Sequence, residues 1–498
     1  MNENTTITLS LISHTNVGKT TLARTLLRRD IGQVLDQPHV TDTSEAFPMI
    51  QTPQGDLLRL WDTPGFGDTA RLLRRLEQSA NPLGWFLSQV WDRFADRPLW
   101  CSQQAVRNIR EEADLVLYLV NAAEDPAQAR YVEMEMKILS WMGVPVITLL
   151  NQTGPPREPA AERADQDRWQ THLQAFPVVK QTLSLDAFAR CWVQEGILLQ
   201  EVEPLLPAAK QPAYQRLTAS WRQQNMAVFH QSMHRLAVQL AEACADRETV
   251  ADPSLTDHIR QVLASLLPAS KQQLSPHETA MALLAERLDK RIREAMDHLI
   301  QLHGLEGRAA AEIFQRLRDH YATSRPLHQG VSAVLGGFVS GVLGGLVADL
   351  AAGGLTFGGG ALVGGLLGAA GAGVAAKGYN ILRGDTASTV RWSPPFIQGL
   401  IRSALLRYLA VAHYGRGRGH YKQSEYPAFW QTAVAESVSR REAQIQKLCE
   451  RAKSPADAPK LVPDMQAQLA SCAGELLTRF YPEAAQQWAV SSQQSAVS

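Results

Sequence analysis

The densest chemical signal in this 498-residue chain is the run Ser13-His14-Thr15-Asn16-Val17-Gly18-Lys19-Thr20-Thr21. It meets the pattern G-x-x-x-x-G-K-[ST] at its second glycine, its lysine and its threonine, with serine in place of the first glycine. The pattern suits one task, holding a chain of phosphates. Successive backbone N–H groups curl round the anion, and Gly18 lets the backbone come close. Lys19 reaches the terminal phosphates, the Thr20 hydroxyl is placed for Mg2+, and a following helix adds its positive end. Ser13 is compatible with this only if its backbone stays outside the region reserved to glycine. A second motif, Asp62-Thr63-Pro64-Gly65, lies forty-two residues after Thr20. Asp62 would hold the same Mg2+ through water, and the Gly65 N–H would sense the outermost phosphate.

These residues need a scaffold that brings loop ends together, and the surrounding pattern supplies one. Thr6–Ile12, Leu57–Trp61, Leu115–Val120 and Val144–Leu150 read as strands, the last two as the continuous apolar runs of a buried parallel sheet. Thr20–Arg29 and Ala127–Met142 have helical spacing between them. Strand and helix in alternation predict a doubly wound α/β domain over residues 1–200. Beyond it the strand signals stop, at a boundary marked by Pro204, Pro207 and Pro212. Arg222–Ala245, Asp257–Leu267, Pro276–His320, Pro395–Ala412, Pro427–Ala452 and Asp464–Phe480 all read as helices. The expected fold is thus an α/β P-loop NTPase domain followed by an all-α region. That region divides into a helical segment at 201–325, a glycine-rich apolar hairpin at 326–380 and a helical segment at 381–498.

Asn16-Val17-Gly18-Lys19-Thr20-Thr21-Leu22 together with Trp61-Asp62-Thr63-Pro64-Gly65 resembles the Era-type branch of the translation-factor-related GTPases. The whole chain resembles a little-characterised bacterial family that joins such a domain to a long helical C-terminal region of unknown function. The resemblance implies binding of GTP and GDP with Mg2+, and GTP hydrolysis. It also implies a switch threonine about nineteen residues before Asp62, for which Thr43 is the second metal ligand beside Thr20, with Thr41 as the alternative. Asn16 matches the asparagine that holds K+ beside the phosphates in cation-dependent relatives; the same asparagine occurs in relatives without that dependence.

Two departures bear on function. Phe66 stands where related proteins carry a water-orienting glutamine, and a phenyl ring cannot position water by hydrogen bonding, so intrinsic hydrolysis should be slow. Where N-K-x-D should read the base, the chain has Asn151-Gln152-Thr153-Gly154. Losing the carboxylate that accepts from guanine removes roughly 1.5–3 kcal/mol of discrimination per charged hydrogen bond. Ser184, in Leu183-Ser184-Leu185-Asp186-Ala187, is either part of the loop that backs the base or an ordinary loop serine. A GTP-binding switch is the leading expectation. A switch without hydrolysis and an ATP-using protein are the alternatives that Phe66 and the eroded base motif keep open.

Half of the 34 glycines fall between Gly330 and Gly378. Val331–Ala348 and Leu350–Ala376 are apolar runs of eighteen and twenty-seven residues around the single charge Asp349, and about twenty residues span a bilayer. Small residues recur at helical spacing as Gly337/Gly341/Gly345 and Gly360/Gly364/Gly368, which suits close helix packing in lipid. Arginines precede the segment and Lys377, Arg383 and Arg391 follow it, so both ends should stay on the cytoplasmic side. Contact of 331–376 with the inner membrane is the expectation, against a hairpin buried in protein. The stretch 69–112, longer than a minimal GTPase needs and holding Trp85, Trp91 and Trp100, is either a surface for a protein partner or extra helical cover. His413–Lys422 is either a solvated loop or a basic contact to lipid headgroups or RNA.

Composition sets outer bounds. Lys+Arg and Asp+Glu both total 49, so no bulk attraction to nucleic acid is expected and no specific nucleic-acid partner is assigned. Hydrophobic residues at 45% exclude a largely disordered chain. Five scattered cysteines without a C-x-x-C pair argue against a disulfide framework or a zinc site and fit a reducing cytosol. The polar start Met1-Asn2-Glu3-Asn4 carries no signal-peptide pattern.

Overall fold

The computed structural model describes residues 4–14, 17–28, 45–66, 68–78, 97–154, 156–187, 190–249, 276–305, 379–383, 388–414 and 427–484. Thr15, Asn16, Thr41, Thr43, the predicted helix at 257–267 and the glycine-rich segment 326–376 lie outside them. Two compact units emerge. One comprises Met1–Ala227 with Ala412–Gln423 and Leu477–Ser498, the other Val228–Val411 with Ser424–Leu476.

The first unit is built on β1 (Thr6–Ser13), α1 (Lys19–Leu27), β2 (Glu45–Gln51), β3 (Leu57–Asp62), α2 (Thr69–Glu77), α3 (Arg97–Glu111), β4 (Leu115–Asn121), α4 (Arg130–Met142), β5 (Val146–Asn151), α5 (Pro159–Leu173), β6 (Val179–Ser184) and α6 (Trp192–Val202). The sheet order is β2-β3-β1-β4-β5-β6. All pairs are parallel except β2 with β3. β4 and β5 are buried along almost their whole length, as strands covered by helices on both faces must be. One face carries Leu72 and Leu76 of α2, Leu99, Val106 and Ile109 of α3, Val132, Met136 and Leu139 of α4, and Trp169 and Leu173 of α5, packed as one apolar cluster with Tyr118 and Val120. Within the long stretch after Asp68, α2 and α3 therefore act as helical cover; residues 79–96 lie outside the described set.

Two strands of this sheet were not legible as strands. β2 is an edge strand, mostly exposed, with Pro48 and an irregular register between Pro48 and Ile50. Proline cannot donate to a ladder and so hides an edge strand from pattern reading. β6 is mostly polar, and it is held in the sheet by pairing with β5.

Long helices dominate the rest: α7 (Gln211–Ala245), α8 (Pro276–Leu302), α9 (Pro394–Ala412), α10 (Ala428–Ser439), α11 (Glu442–Arg451) and α12 (Ala458–Phe480). The region is mostly helical, but the expectation that strands end near residue 200 is corrected by a small antiparallel sheet. Its strands are Arg247–Thr249, Tyr379–Arg383 and Ser388–Trp392, with the last in the centre. Strands of three to five residues are too short to show a period, and the first pairs with a segment about 140 positions away. The Gly384-Asp385 dipeptide was the one hairpin cue available. Pro427–Ala452 is likewise two helices rather than one. The chain breaks at Arg440-Arg441, where both guanidinium groups pair with Glu475 of α12. In the second unit Asp246, buried just after α7, is gripped by Arg287 and Arg291 of α8.

Candidate functional site

The parallel strands end along one edge, and in open α/β sheets ligands bind at that edge. Register fixes the neighbours: Leu11 of β1 lies opposite Asp62 of β3, Asn121 opposite Asn151, and Leu150 opposite Ser184. Loops that are far apart in sequence therefore converge before any side chain is considered.

Ser13 is the last residue of β1, so its backbone is extended and serine stands there without strain. Its hydroxyl donates to the His14 carbonyl at 2.5 Å. Its own carbonyl accepts the Phe66 N–H at 3.0 Å, and His14 forms a parallel bridge with Phe66. The segment after Asp62 is thus stitched to the start of the phosphate loop. Gly65 permits that approach, since a Cβ there would sit 3.1 Å from the Ser13 carbonyl oxygen. Gly18 caps α1 at φ 87°, a left-handed conformation that favours glycine, and a Cβ would lie 2.8 Å from the Asn151 amide nitrogen.

At the N-terminus of α1 the Thr20 hydroxyl donates to Asp62 Oδ2 at 2.7 Å. The other Asp62 oxygen is buried with no hydrogen-bond partner among the described residues. Burial pushes the Asp62 carboxyl above its ordinary range, against the charge of Lys19 and the Thr20 bond. Burial likewise lowers Lys19, against the charge of Asp62. A buried carboxylate oxygen without a donor, beside a hydroxyl and a half-buried ammonium, is the arrangement a hard cation and a phosphate would complete. Thr20 and Asp62 fit Mg2+, which when bound would neutralise charge on the phosphates. Val17 of the loop and Thr21 of α1 are both buried.

Asn151 ends β5 fully buried. Its amide donates to the Val17 carbonyl at 2.6 Å, and its oxygen accepts the Ala187 N–H at 2.8 Å. The retained asparagine therefore ties the phosphate loop to both loops on the base side. Gln152 lies at φ 60° and Gly154 at φ 83°. Thr153 donates its N–H, at 2.6 Å, and its hydroxyl, at 3.0 Å, to Asp186 Oδ2. Asp186 was missed by sequence reading, as a short acidic residue in a loop has no pattern to mark it. Ser184 closes β6 one pair away from Asn151, and its buried hydroxyl has no partner among the described residues. Nearby, Glu162 of α5 is pushed up to about 7 by burial, despite Arg157.

Phe66 is fully buried in the apolar cluster with Leu72 and Val120. Its ring packs on hydrophobic neighbours rather than presenting a polar group. His413, at the start of the basic aromatic stretch, is buried and stacks on Tyr481 with centroids 5.8 Å apart; residues 415–422 lie outside the described set.

Sheet order, phosphate loop and the Thr20–Asp62 corner define a P-loop GTPase domain, and residues 8–152 match the family described as 50S ribosome-binding GTPase. Residues 179–471 match Domain of unknown function (DUF3482), and the chain belongs to that family. The expected union of an Era-type GTPase domain with a helical region of unknown function is met. No curated protein matches the chain. Similar solved structures include a variant of Aquifex aeolicus Era bound to GDP.AlF4-, at 17% identity and a TM-score of 0.31, covering 41% of this chain and 57% of that one. Toc33 from Arabidopsis thaliana in complex with Mg2+ and GMPPNP is 12% identical with a TM-score of 0.27, covering 44% and 84%. A variant of S. thermophilus NFeoB bound to GDP.AlF4- is 13% identical with a TM-score of 0.24, covering 62% and 92%. The chain spans under three fifths of the length of the Era structure.

Proposed function

We propose that the protein is a slow, Mg2+-dependent GTP-binding switch that works on the cytoplasmic face of a membrane. The observation that carries the nucleotide part is the Thr20–Asp62 contact at 2.7 Å beside Lys19, with an Asp62 oxygen left for a cation. Slow turnover follows from Phe66, whose ring is fully buried and offers no hydrogen bond to an attacking water. Membrane contact rests on the sequence of 331–376. Among the described residues no helix is long and apolar enough to cross a membrane, and that segment lies outside them.

The test is a titration of full-length protein with GTP, GDP and ATP in the presence of Mg2+, followed by single-turnover hydrolysis. GTP should bind best, with a preference over ATP below about a thousandfold, or 4 kcal/mol, because Gly154 provides no carboxylate. Turnover should stay below about 1 s⁻¹. A preference for ATP would replace the guanine reading with the second one that the loop 151–154 favours. Stimulation by K+ over Na+ would support the role assigned to Asn16.

A further inference from the structure

The chemistry above leaves Glu135, a buried acid of the first unit, without a role. Glu135 sits in α4 on the stripe Val132, Glu135, Met136, Leu139, which otherwise faces the core, and it is fully buried. Three donors from three elements converge on it. Tyr118 of β4 donates its hydroxyl to Oε2 at 2.6 Å. Thr69, the first residue of α2, donates to Oε1 at 2.9 Å. His14 Nδ1 of the phosphate loop meets the same Oε1 at 2.7 Å. The His14 ring also stacks on Tyr131, with centroids 4.3 Å apart, and the Tyr131 hydroxyl donates to Glu124 at 2.8 Å. One carboxylate oxygen is therefore shared by the phosphate loop and by the helix that follows Asp62-Thr63-Pro64-Gly65.

Resting on the nucleotide-binding reading, we propose that Glu135 is a positioning residue of the nucleotide site, clamping His14 of the phosphate loop and Thr69 of the following switch segment into one rigid body. A buried acid on an apolar stripe is costly unless its oxygens are satisfied, and here satisfying them ties together two loops that must both close on the same phosphates. The bond to His14 is charge-assisted when the ring is protonated, and such bonds are roughly twice as strong as neutral ones. The groups facing His14 are Glu135, Glu124 and Tyr131, and the charge of Glu135 also reaches Lys19. Burial alone would lower the His14 pKa; the hydrogen bond and charge of Glu135, with Glu124, overcome that and raise it above the ordinary value. A raised histidine keeps its contribution below its ordinary value of about 6.5 and loses it as pH climbs through the raised one. The clamp therefore weakens as pH rises.

The experiment follows release of a fluorescent GDP analogue from the full chain between about pH 6 and 9. Wild-type release should accelerate with pH. Glu135→Gln, which keeps side-chain volume, should release the analogue about tenfold faster at the acidic end and lose most of the pH slope. His14→Gln, at a part-exposed position, should give the same two effects if the buried variant folds poorly. Thr69→Val should speed release a fewfold, through loss of one hydrogen bond, while keeping the slope. Folded Glu135→Gln and His14→Gln proteins with wild-type rate and slope would overturn the inference alone. Wild-type protein that binds no GDP would overturn it together with the nucleotide reading.

Discussion

The side-chain amide of Asn151 donates to the Val17 carbonyl at 2.6 Å, joining the end of β5 to the phosphate loop across 134 positions of sequence. The same side chain holds Ala187 after β6, so one amide fixes the spacing of three loops. Asn151→Asp replaces the donor with an acceptor aimed at a carbonyl. Nucleotide affinity should fall at least about tenfold with circular dichroism unchanged. Calorimetric titration decides it, and undiminished affinity would show that the loops hold their spacing without the bridge.

Lys19 and Thr20 should separate by their dependence on metal. Lys19→Ala removes the ammonium from a half-buried corner and should weaken nucleotide binding roughly a hundredfold or more at any Mg2+ concentration. Thr20→Ala should bind normally in EDTA and lose only the gain that Mg2+ brings. If the two variants respond alike to a Mg2+ titration, the assignment of the Thr20–Asp62 corner to the metal is wrong.

Glu162 sets a pH dependence of known sign. Its folded pKa of about 7 exceeds the ordinary carboxyl value because burial disfavours the charge. The folded state then holds a proton that the unfolded state has lost, so stability falls as pH rises from about 4.5 to 7. Glu162→Gln should raise stability by roughly 1–2 kcal/mol at pH 8, after allowance for solvent, and change little at pH 4. Urea denaturation at the two pH values measures it; equal midpoint shifts at both would contradict a buried titrating acid.

Deleting residues 331–376 should release the protein from membranes and leave nucleotide binding intact, because the Thr20–Asp62 corner and the Asn151 bridge to Val17 lie outside that segment. Full-length protein should sediment with vesicles and resist high-salt extraction, since an apolar attachment is not screened. Asp349→Leu should strengthen retention or leave it unchanged, as an isolated carboxylate in hydrocarbon costs several kcal/mol. Monodisperse full-length protein in buffer without detergent, with this segment protected from proteases, would favour a hairpin buried in protein.

Sequence alone marked Gly18, Lys19, Thr20 and Asp62 as the candidates for phosphate chemistry, because a phosphate cradle needs those residue types at fixed local spacing. It also determined the strands β4 and β5, whose apolar runs admit few other conformations, and β1, whose alternation leads straight into the phosphate motif. Tertiary structure alone decided what depends on pairing at a distance. Glu135 stood in the sequence as a lone acid on an apolar stripe of α4, a sign visible to spacing, but its three donors come from β4, α2 and the phosphate loop. Asp186 and the bridging half of Asn151 were silent for the same reason. The strand Arg247–Thr249 exists because Arg391, Val390 and Thr389 lie beside it, and three residues have no periodicity of their own. The arginines at the break, Arg440 and Arg441, both pair with Glu475, a partner on another helix. Local covalent spacing is written in the chain, whereas the partner that satisfies a buried charge is chosen only when the chain has folded.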